Sequence, residues 1–291
     1  MAAVEPTIPR GKIFLTGGTG YIGAVVLERL RRGAHEVTAL ARSEESSGKL
    51  AAAGAAVCRG DLQDPMRWIQ EACLHDAIVH IAMGWGSKSG QIDRAVVEAS
   101  LKSLAGSGKT FLYTSGVWVM GDTKGRLAGE MFPLKPASLV AWRPAVERLV
   151  LEANDRTVRG IVIRPAMVYG RNGGAVHRML NGELPLIGDG ENHWSFVHVD
   201  DLADLFLLAL ERSGPGELFL AAHGEPRRWK DLAEATGCTK RMSIEQARQV
   251  MGPVADAMIM DQKVGSTKAA RLLGWRPTHS SVLDELRKGA P

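Results

Sequence analysis

Short apolar runs alternate with longer segments at helical spacing between Lys12 and Ile163. This alternation is typical of a parallel sheet covered by helices on both faces, and several runs are apolar enough for strands buried on both sides. The pattern predicts strands at residues 12–16, 36–40, 56–58, 77–81, 110–114 and 158–163. It predicts helices at residues 21–32, 44–53, 64–73, 91–105 and 136–154.

The alternation weakens after Tyr169 and Gly170, where glycine and proline interrupt the chain more often. We therefore expect a larger α/β domain at residues 1–170 and a smaller lobe at residues 171–291, some segments of which return to the first domain. The pattern of the lobe predicts a helix at residues 200–211, a strand at 217–220 and further helices at 229–235, 243–251 and 266–273.

Composition excludes several classes of protein. The 291 residues are 45% hydrophobic, which suffices for a large core, and 36 Lys and Arg against 32 Asp and Glu leave a net charge of +4. Since no basic run or aromatic-interleaved basic patch is present, we expect no nucleic-acid partner. Cys58, Cys73 and Cys238 are isolated and lack metal-ligand spacing, so we expect neither a disulfide nor a metal site.

Targeting signals are also missing from the pattern. Residues 1–10 contain Pro6 and Pro9 and no apolar segment of signal-peptide length. No later run approaches the roughly 18 apolar residues that a membrane span needs. We therefore expect a cytoplasmic protein that has no membrane partner.

A glycine-rich turn follows the first predicted strand and opens an amphipathic helix. Residues 16–23 read Thr-Gly-Gly-Thr-Gly-Tyr-Ile-Gly. Gly17 permits a tight turn, Gly20 allows backbone to approach a pyrophosphate, and Gly23 allows close packing of helix on strand. The turn predicts a nicotinamide dinucleotide held at the helix N-terminus of a Rossmann-type, doubly wound parallel sheet with a smaller substrate-binding lobe. Its remaining cofactor-binding candidates are Thr19, Tyr21 and Ile22.

The end of the second predicted strand bears on the choice of cofactor. Residues 39–43 read Ala-Leu-Ala-Arg-Ser and lack the carboxylate that binds the adenosine ribose of NAD. Arg42, next to Ser43, can instead pair with a 2′-phosphate and stack on adenine. This pattern favours NADP(H) over NAD(H), although a solvated arginine at a strand end is the alternative.

Several further motifs, in order along the chain, resemble those of the extended short-chain dehydrogenase/reductase superfamily, in its epimerase/dehydratase-like branch. They are Gly-Asp-Leu at 60–62, Val-His-Ile-Ala at 79–82, Tyr-Thr-Ser-Gly at 113–116, Arg-Pro-Ala-Met-Val-Tyr-Gly at 164–170, and the segments 196–203 and 266–277. The resemblance implies cofactor contacts at Asp61, Leu62, Ala82, Met83, Thr114, Pro165 and Val168.

The usual catalytic pair of this superfamily is missing. Its reductases carry Tyr-x-x-x-Lys on the helix after the fifth strand, followed four residues later by Glu. Counting back from Glu147 places Arg143 at the Lys position and Leu139 at the Tyr position. Leucine cannot transfer a proton, whereas Arg143 can still bind ribose hydroxyls, and Pro144 indicates that the local helix departs from the family pattern.

Other groups must then be considered for proton transfer. Ser115 lies where the superfamily has its active-site Ser or Thr, and it can orient a carbonyl or an imine by hydrogen bonding, or simply satisfy the turn backbone. His193 has suitable chemistry if residues 188–194 form a loop over the cleft, but a surface role is the alternative. Tyr169 is interpreted as structural. The catalytic candidates are therefore Ser115, Arg143 and His193.

Tryptophan placement suggests an apolar or aromatic substrate. By resemblance, four of the seven tryptophans fall in segments that border the cleft, namely Trp85, Trp118, Trp142 and Trp194. Core packing is the alternative for each. A sugar nucleotide is less favoured because residues for a second diphosphate are not evident, although His177, Arg178 and His193 keep it open.

The leading hypothesis is an NADPH-dependent reductase of a C=O, C=N or activated C=C group, with a small-molecule substrate and a non-standard proton donor. One alternative is a catalytically inactive NADP(H)-binding sensor or partner-binding protein. Another is an epimerase or lyase with tightly bound NAD, which Arg42 disfavours. The superfamily commonly dimerises through the helices predicted at residues 91–105 and 136–154, so a homodimer is also implied, unless their apolar side chains are buried within the monomer.

Overall fold

The protein folds into two compact units. In this computed structural model, which describes residues 10–84 and 86–289, the first unit contains the described residues up to Ser115 together with Ala145–Ile163 and Ala203–Leu218. The second contains Gly116–Pro144, Arg164–Leu202 and the described residues from Phe219 onward. The chain passes between the units several times, and Ala203–Leu218 belongs to the first unit.

Strands form one large sheet and two small ones. They are β1 (Lys12–Thr16), β2 (Glu36–Ala41), β3 (Ala56–Arg59), β4 (Ala77–His80), β5 (Thr110–Thr114), β6 (Arg159–Pro165), β7 (Met167–Gly170), β8 (Leu186–Ile187), β9 (His193–His198), β10 (Glu217–Ala221), β11 (His223–Arg228) and β12 (Arg241–Met242). The large parallel sheet has the order β10-β6-β5-β4-β1-β2-β3, which confirms the predicted α/β fold of Rossmann type. Strand order reverses between β1 and β4, so a crevice opens at the carboxyl ends of these two strands.

Helices connect the strands. They are α1 (Tyr21–Arg32), α2 (Glu44–Ala52), α3 (Ile69–Ala72), α4 (Ser89–Leu104), α5 (Arg143–Leu151), α6 (Gly174–Leu180), α7 (Val199–Arg212), α8 (Trp229–Ala235), α9 (Ile244–Met251), α10 (Pro253–Met258), α11 (Thr267–Leu273) and α12 (Val282–Gly289). The bounds of α1 and α8 equal the predicted ones, because apolar residues at helical spacing begin and end sharply there.

The helix predicted at residues 64–73 is wrong in its extent. The structure has a 3-10 turn, Pro65–Arg67, followed by the single turn α3. Trp68 separates the two with a φ of −120°, outside the helical range. Its indole N–H donates to the carbonyl of Asp61 at 2.9 Å, so a tertiary hydrogen bond replaces continuous helix.

The helix predicted at residues 136–154 is also wrong in its extent. A 3-10 turn, Ser138–Val140, precedes α5, which begins only at Arg143, and a second 3-10 segment, Glu152–Arg156, follows it. Pro144 explains the late start, because it lacks the N–H that would bond back to Val140 and is tolerated only in the first helical turn. Leu139 and Arg143 therefore do not share one continuous helix.

A buried arginine holds two elements of the first unit together. The guanidinium of Arg159 donates to Thr110 Oγ1 at 2.8 Å and to the carbonyls of Leu210 and Ser213 at 2.7 and 2.8 Å. Burial lowers its pKa to about 10, so the group remains charged at neutral pH. A cation at these carbonyls stabilises the C-terminal end of α7.

The second unit contains the small sheets, whose orders are β11-β9-β7 and β12-β8. The sequence pattern missed all five of these strands because they are short, and three of them, β9, β11 and β12, carry histidine or arginine among their other residues. In β9, His-Trp-Ser-Phe-Val-His, five of six residues are buried. Trp194 and Phe196 of this strand pack in a hydrophobic core with Tyr169 and Trp229.

The apolar side chains of α4, one of the two helices implied in dimerisation, are buried within the chain. Val96, Val97, Leu101 and Leu104 on α4 are at most 1% exposed. The outer face of α4 is polar and carries the ion pair between Arg94 and Glu98. The monomer thus accounts for the apolar content of this helix. None of the described helices is both long and apolar enough to cross a membrane.

Candidate functional site

A cavity of about 670 Å³ opens in the first unit at the carboxyl ends of β1 to β4. Its lining includes Gly17 and Thr19 after β1, Leu40, Arg42, Ser43, Glu45, Ser46 and Lys49 around the end of β2, Gly60, Asp61, Leu62 and Gln63 after β3, and Ala82, Met83, Gly84 and Ile92 after β4. This volume lies in the range of sites for small ligands and cofactors. The location is the switch-point crevice where doubly wound sheets bind their ligands.

The glycine-rich turn is built without space for side chains. Gly17 has a φ of +81°, and a Cβ there would lie 2.7 Å from the amide nitrogen of Ala82. A Cβ on Gly23 would lie 2.0 Å from the carbonyl oxygen of Gly17. At Gly20 the contact would be a milder 3.3 Å with the same oxygen, so packing within the protein does not itself require glycine there. The turn and the start of α1 therefore touch through backbone alone.

The N-terminus of α1 is uncapped by side chains. Gly20 is its N-cap residue, no side chain accepts from the first turn, and that turn contains no acidic residue. The helix dipole and the backbone N–H groups of its first turn thus favour an anion at this end. Tyr21, Ile22 and Gly23 form the turn, although only Gly17 and Thr19 of the motif line the cavity itself.

Positive charge enters the cavity near the end of β2. Arg42 is exposed, lines the cavity, and has no ion pair within the described part of the chain. Ser43 caps α2 through a capping box with Ser46. Lys49 lies one turn further and bonds Glu45 at 2.6 Å, and this hydrogen bond and charge lower the pKa of Glu45. Because Lys49 pairs with Glu45, Arg42 is the unpaired cation of this region.

The loop after β3 is fixed by a residue that the sequence did not single out. Asp61 Oδ1 accepts from the backbone N–H of Gln63 at 2.9 Å, which forms a tight turn. Trp68 bonds the carbonyl of Asp61 and stacks on Phe14 of β1, with ring centroids 5.5 Å apart. A Cβ at Gly60 would lie 2.6 Å from the Trp68 ring. Trp68 therefore holds this cavity wall against the sheet.

The end of β5 presents the predicted hydroxyls. Thr114 is its last residue, and the N–H of Ser115 donates to the carbonyl of Ile163 at 2.8 Å. Ser115 is 7% exposed, and its Oγ has no hydrogen-bond partner among the described residues. A buried hydroxyl without a partner is costly in a folded protein, and such groups often mark ligand sites.

Neither residue at the positions of the usual catalytic pair can act as an acid. Leu139 packs on an apolar cluster of the second unit together with Trp118, Phe132 and Met260. Arg143 is 8% exposed, and its Cζ lies 5.1 Å from the ring centroid of Trp142, a cation–π arrangement. Trp118 and Trp142 are each half-buried.

His193 does not belong to a loop that folds over a cleft, contrary to expectation. It is the first residue of β9, and its Nδ1 lies 2.7 Å from Asp261 Oδ1. The same oxygen accepts the His193 N–H, and Asp261 Oδ2 accepts the N–H of Gly125. Burial alone would raise the pKa of Asp261, but these bonds hold it below its usual value. Asp261 thus ties His193 into the second unit.

Trp194 is corrected from a substrate contact to a core residue. It is 2% exposed, its ring lies 4.4 Å from that of Trp229, and its indole N–H donates to the carbonyl of Met258. Such a side chain offers no surface to a substrate. Trp85 lies outside the described residues, so its predicted contact stays a prediction.

Three residues of the sixth-strand motif occupy the second unit. Pro165 is the last residue of β6, and Val168 pairs with Val197 between β7 and β9. Tyr169 is 1% exposed and donates its hydroxyl to the carbonyl of Ser280. Burial, and then Glu285 and nearby aspartates, raise the pKa of Tyr169. Tyr169 is therefore structural.

One group of potential metal ligands occurs among the described residues. His198, Asp200 and His279 place ligand atoms within 4.8 Å of one another. The two imidazoles are stacked, with centroids 3.9 Å apart and planes 7° apart, so their in-plane lone pairs run parallel and do not converge. Asp200 is already bound by the guanidinium of Arg171. This geometry suits a structural cluster better than a metal centre.

Comparisons with known proteins place the chain in a family. The model of the NAD dependent epimerase/dehydratase family matches residues 13–222. An uncharacterized protein of Saccharomyces cerevisiae is 31% identical over 294 residues, covering 95% of this chain and 98% of the relative. The 2-alkyl-3-oxoalkanoate reductase of Stenotrophomonas maltophilia is 28% identical over 244 residues, covering 76% of this chain and 73% of the relative.

Solved structures share the fold. A double mutant of the dTDP-glucose 4,6-dehydratase DesIV of Streptomyces venezuelae, with NAD and DAU bound, superposes with a TM-score of 0.79 at 21% identity and covers 94% of each chain. The glycine-rich turn, the switch-point cavity and these matches agree with the resemblance found in the sequence. On these grounds the chain belongs to the NAD dependent epimerase/dehydratase family.

Proposed function

We propose that the protein is an NADPH-dependent oxidoreductase that reduces a C=O, C=N or activated C=C group of a hydrophobic or aromatic small molecule. The observation that carries this proposal is the cavity at the carboxyl ends of β1 to β4. Its glycine-rich turn and exposed Arg42 suit a dinucleotide that carries a 2′-phosphate. When bound, the nicotinamide supplies the hydride. Family membership supports a nicotinamide cofactor of either kind.

The preference for NADPH rests on charge. Arg42, at the end of β2, forms no ion pair with any described residue, and no carboxylate stands between residues 39 and 43 to bind a ribose 2′-hydroxyl. Glu45 also lines the cavity, but Lys49 neutralises it. A 2′-phosphate would therefore meet the guanidinium of Arg42, which favours an anion.

Reduction is supported by the chemistry of the site and by named relatives. The unpaired Ser115 hydroxyl can donate to a carbonyl oxygen or an imine nitrogen, and Arg143 can hold ribose hydroxyls. Leu139 leaves the usual acid absent, so a substrate that arrives protonated, such as an iminium, fits best. The Stenotrophomonas maltophilia relative is named as a reductase of a ketone-bearing acid, which favours reduction over epimerisation.

We propose an apolar substrate because several partly exposed side chains of the second unit are hydrophobic. Trp118, Phe132, Leu139 and Met260 are all partly buried hydrophobic side chains. Trp142 is half-buried beneath Arg143. A half-exposed aromatic surface gains most by contact with another apolar or aromatic group.

A turnover assay tests the proposal. We expect the purified protein to consume NADPH with at least one compound of a panel of hydrophobic ketones, cyclic imines and enones. Ser115→Ala should lower kcat by about 100-fold, the usual cost of one donor to a developing anion, without changing the affinity for NADPH. Ser100→Ala is the matched control, because Ser100 Oγ only bonds the Val96 carbonyl within α4.

Three other results would contradict the proposal. NADPH binding without turnover on any compound would instead support a sensor or partner-binding protein. Release of tightly bound NAD on denaturation would support an epimerase or lyase. Full turnover by Ser115→Ala would remove Ser115 from the catalytic site.

A further inference from the structure

Four polar side chains form a buried chain of hydrogen bonds beneath the cavity. Thr16 and Tyr113 are 0% exposed, His80 is 1% exposed and Asp93 is 4% exposed. Thr16 Oγ1 lies 2.7 Å from His80 Nδ1, and His80 Nε2 lies 3.3 Å from Asp93 Oδ1. The hydroxyl of Tyr113 donates to Asp93 Oδ2 at 2.6 Å. These residues come from β1, β4, α4 and β5, so the chain crosses the sheet at its switch point.

The direction of each hydrogen bond follows from donor and acceptor chemistry. A carboxylate only accepts, so His80 Nε2 carries the ring proton that faces Asp93. In the neutral imidazole, His80 Nδ1 then accepts, and the hydroxyl of Thr16 donates to it. This leaves the lone pairs of Thr16 Oγ1 free to accept the backbone N–H of Ala82 at 3.3 Å. Asp93 thereby fixes, through His80, which way the hydroxyl of Thr16 points.

The chain of hydrogen bonds ends at two backbone segments that line the cavity. Thr16 precedes Gly17, and Ala82 lies two residues after His80. The two segments touch, because a Cβ on Gly17 would lie 2.7 Å from the Ala82 nitrogen and 2.9 Å from its Cα. The Thr16 to Ala82 hydrogen bond and this contact set the separation of the two segments. A small change in that separation would move both walls of the proposed pyrophosphate site.

The burial of the Asp93 carboxylate is energetically unfavourable and calls for an explanation. Desolvation of a charged group is expensive, and replacing a buried polar cluster by well-packed apolar residues is often neutral or stabilising. Asp93 is satisfied by two donors, yet it lies among apolar residues of α4 and the sheet. Stability alone therefore does not account for this network, whereas an orienting role does.

We propose that His80, Asp93 and Tyr113 are positioning residues for the cofactor, which act through Thr16 to hold the Gly17 and Ala82 backbone at the spacing that a nicotinamide dinucleotide requires. This inference rests on the proposed binding of NADPH in the cavity. None of the three residues lines the cavity. Their effect passes through one hydroxyl, and this makes the proposal testable by removing that hydroxyl.

The decisive variants differ at Thr16 and Asp93. Thr16→Val removes the hydroxyl at nearly constant volume and should weaken NADPH binding about tenfold, the usual effect of one buried unsatisfied group. Thr16→Ser keeps the hydroxyl and should restore binding to within about twofold. Asp93→Asn should weaken binding in the natural background but have no effect on the dissociation constant in the Thr16→Val background, because its route to the cofactor is already cut.

Dissociation constants for NADPH, measured by titrating the fluorescence of the bound cofactor, and urea unfolding midpoints should be recorded for each variant. Ser100→Ala, another buried polar position on α4, should lower the midpoint without changing NADPH affinity. If Thr16→Val does not fold, Tyr113→Phe removes only the distal donor and should still weaken binding about threefold.

The outcomes separate this inference from the proposed function. If the natural protein binds NADPH and all variants bind it equally well, the positioning role is wrong and the proposed function stands. Equal effects of Asp93→Asn in both backgrounds would show that Asp93 does not act through Thr16, which also overturns the inference. If the natural protein binds neither NADPH nor NADH, the proposed function fails first.

Discussion

At the scale of single residues, the positive charge of the cavity comes from two side chains with different surroundings. Lys49 is paired with Glu45 at 2.6 Å, whereas Arg42 is exposed and forms no ion pair among the described residues. An unpaired guanidinium can bind a phosphate by two parallel hydrogen bonds without first breaking a salt bridge. Arg42 is therefore the residue on which cofactor preference should depend most.

Replacing Arg42 by alanine should weaken NADPH binding about 10- to 100-fold, as expected for charge-assisted hydrogen bonds to a phosphate. Binding of NADH should change less than threefold, because NADH lacks the 2′-phosphate. Calorimetric titration of both cofactors measures the ratio. Arg67→Ala is the matched control, since Arg67 pairs with Asp64 and does not line the cavity. An unchanged ratio in Arg42→Ala would contradict the assigned role.

Some residues that line the cavity lie in or beside sequence motifs, and others reach it only through the packing of helices on the sheet. The lining residues Gly17, Thr19, Arg42 and Asp61 all lie within or beside a recognisable motif. Lys49 and Ile92 line the same cavity but lie within α2 and α4, where no local pattern distinguishes them from ordinary helix residues. Their contribution depends on how each helix is rotated on the sheet.

Trp194 was predicted to contact the substrate, but the structure places it in the core. Its position near a predicted loop suggested a substrate contact, but it belongs to β9 and points into a core that also contains Trp229. A strand of mixed polar and aromatic residues is hard to distinguish from a loop by pattern alone. A tryptophan more often packs in the core than contacts a substrate. The sequence could not show which side of this strand faces the core.

At the scale of elements, the junction of β1 and α1 is the most constrained part of the cavity. Gly23 faces the carbonyl of Gly17 so closely that no side chain fits, whereas a Cβ on Gly48 in α2 would meet nothing within 4 Å. Both glycines lie in helices of the first unit. Replacing each by alanine therefore distinguishes the effect of helix propensity, which both positions share, from the effect of a steric clash, which occurs only at Gly23.

Gly23→Ala should lower the free energy of unfolding by about 1–3 kcal/mol, the usual cost of overpacking, and weaken NADPH binding at least tenfold. Gly48→Ala should leave binding unchanged and raise the free energy of unfolding by about 0.5–1 kcal/mol, because alanine is the better helix former. Urea unfolding and cofactor titration of both variants make the comparison. Loss of cofactor affinity in Gly48→Ala, or none in Gly23→Ala, would contradict this view of the turn.

In the first unit, the existence of elements could be predicted from sequence better than their ends, whereas the small-sheet strands of the second unit were not predicted. The bounds of α1, β1 and β5 were correct because a strong apolar pattern is bounded there by glycine or polar residues. Pro144 gave a visible sign that the helix after β5 begins late, but its effect on the 3-10 turn at Ser138–Val140 was not predictable. The break at Trp68 depends on a hydrogen bond to Asp61, which only the folded chain reveals.

At the scale of the whole molecule, the C-terminal segment of the second unit is fastened by ionisable groups. His198 stacks on His279, and His279 Nδ1 lies 2.8 Å from Asp201 Oδ1. Glu285 of α12 approaches His198 Nε2 at 3.5 Å. Burial, and then the charge of His279, hold the pKa of His198 below its usual value, although Asp200 and Asp201 oppose the shift.

The lowered pKa of His198 gives the sign of a pH effect. Below about pH 6.5 the unfolded chain binds a proton at this position more readily than the folded protein does, so the free energy of unfolding falls as the pH falls. The contribution of His198 is complete above that pH and is lost as the pH drops through the folded-state pKa. We expect the natural protein to lose stability between pH 7 and 5 more steeply than His198→Gln.

Urea unfolding at a series of pH values compares the two slopes, and His177→Gln serves as a control, because His177 lies at the end of α6 and is only partly buried. Asp200 does not obscure the comparison. Burial alone would raise its pKa, but the hydrogen bonds and charge of Arg171 lower it, so Asp200 titrates below this pH range. Parallel slopes in the natural protein and His198→Gln would show that His198 does not contribute.

We propose that the cavity at the switch point of the first unit binds NADPH in preference to NADH. Isothermal titration of the purified protein with each cofactor, in one buffer at one salt concentration, tests this most directly. We expect saturable binding of both, with NADPH bound at least tenfold more tightly because of Arg42. Absence of binding by either cofactor, or binding of NADH as tight as that of NADPH, would contradict the claim.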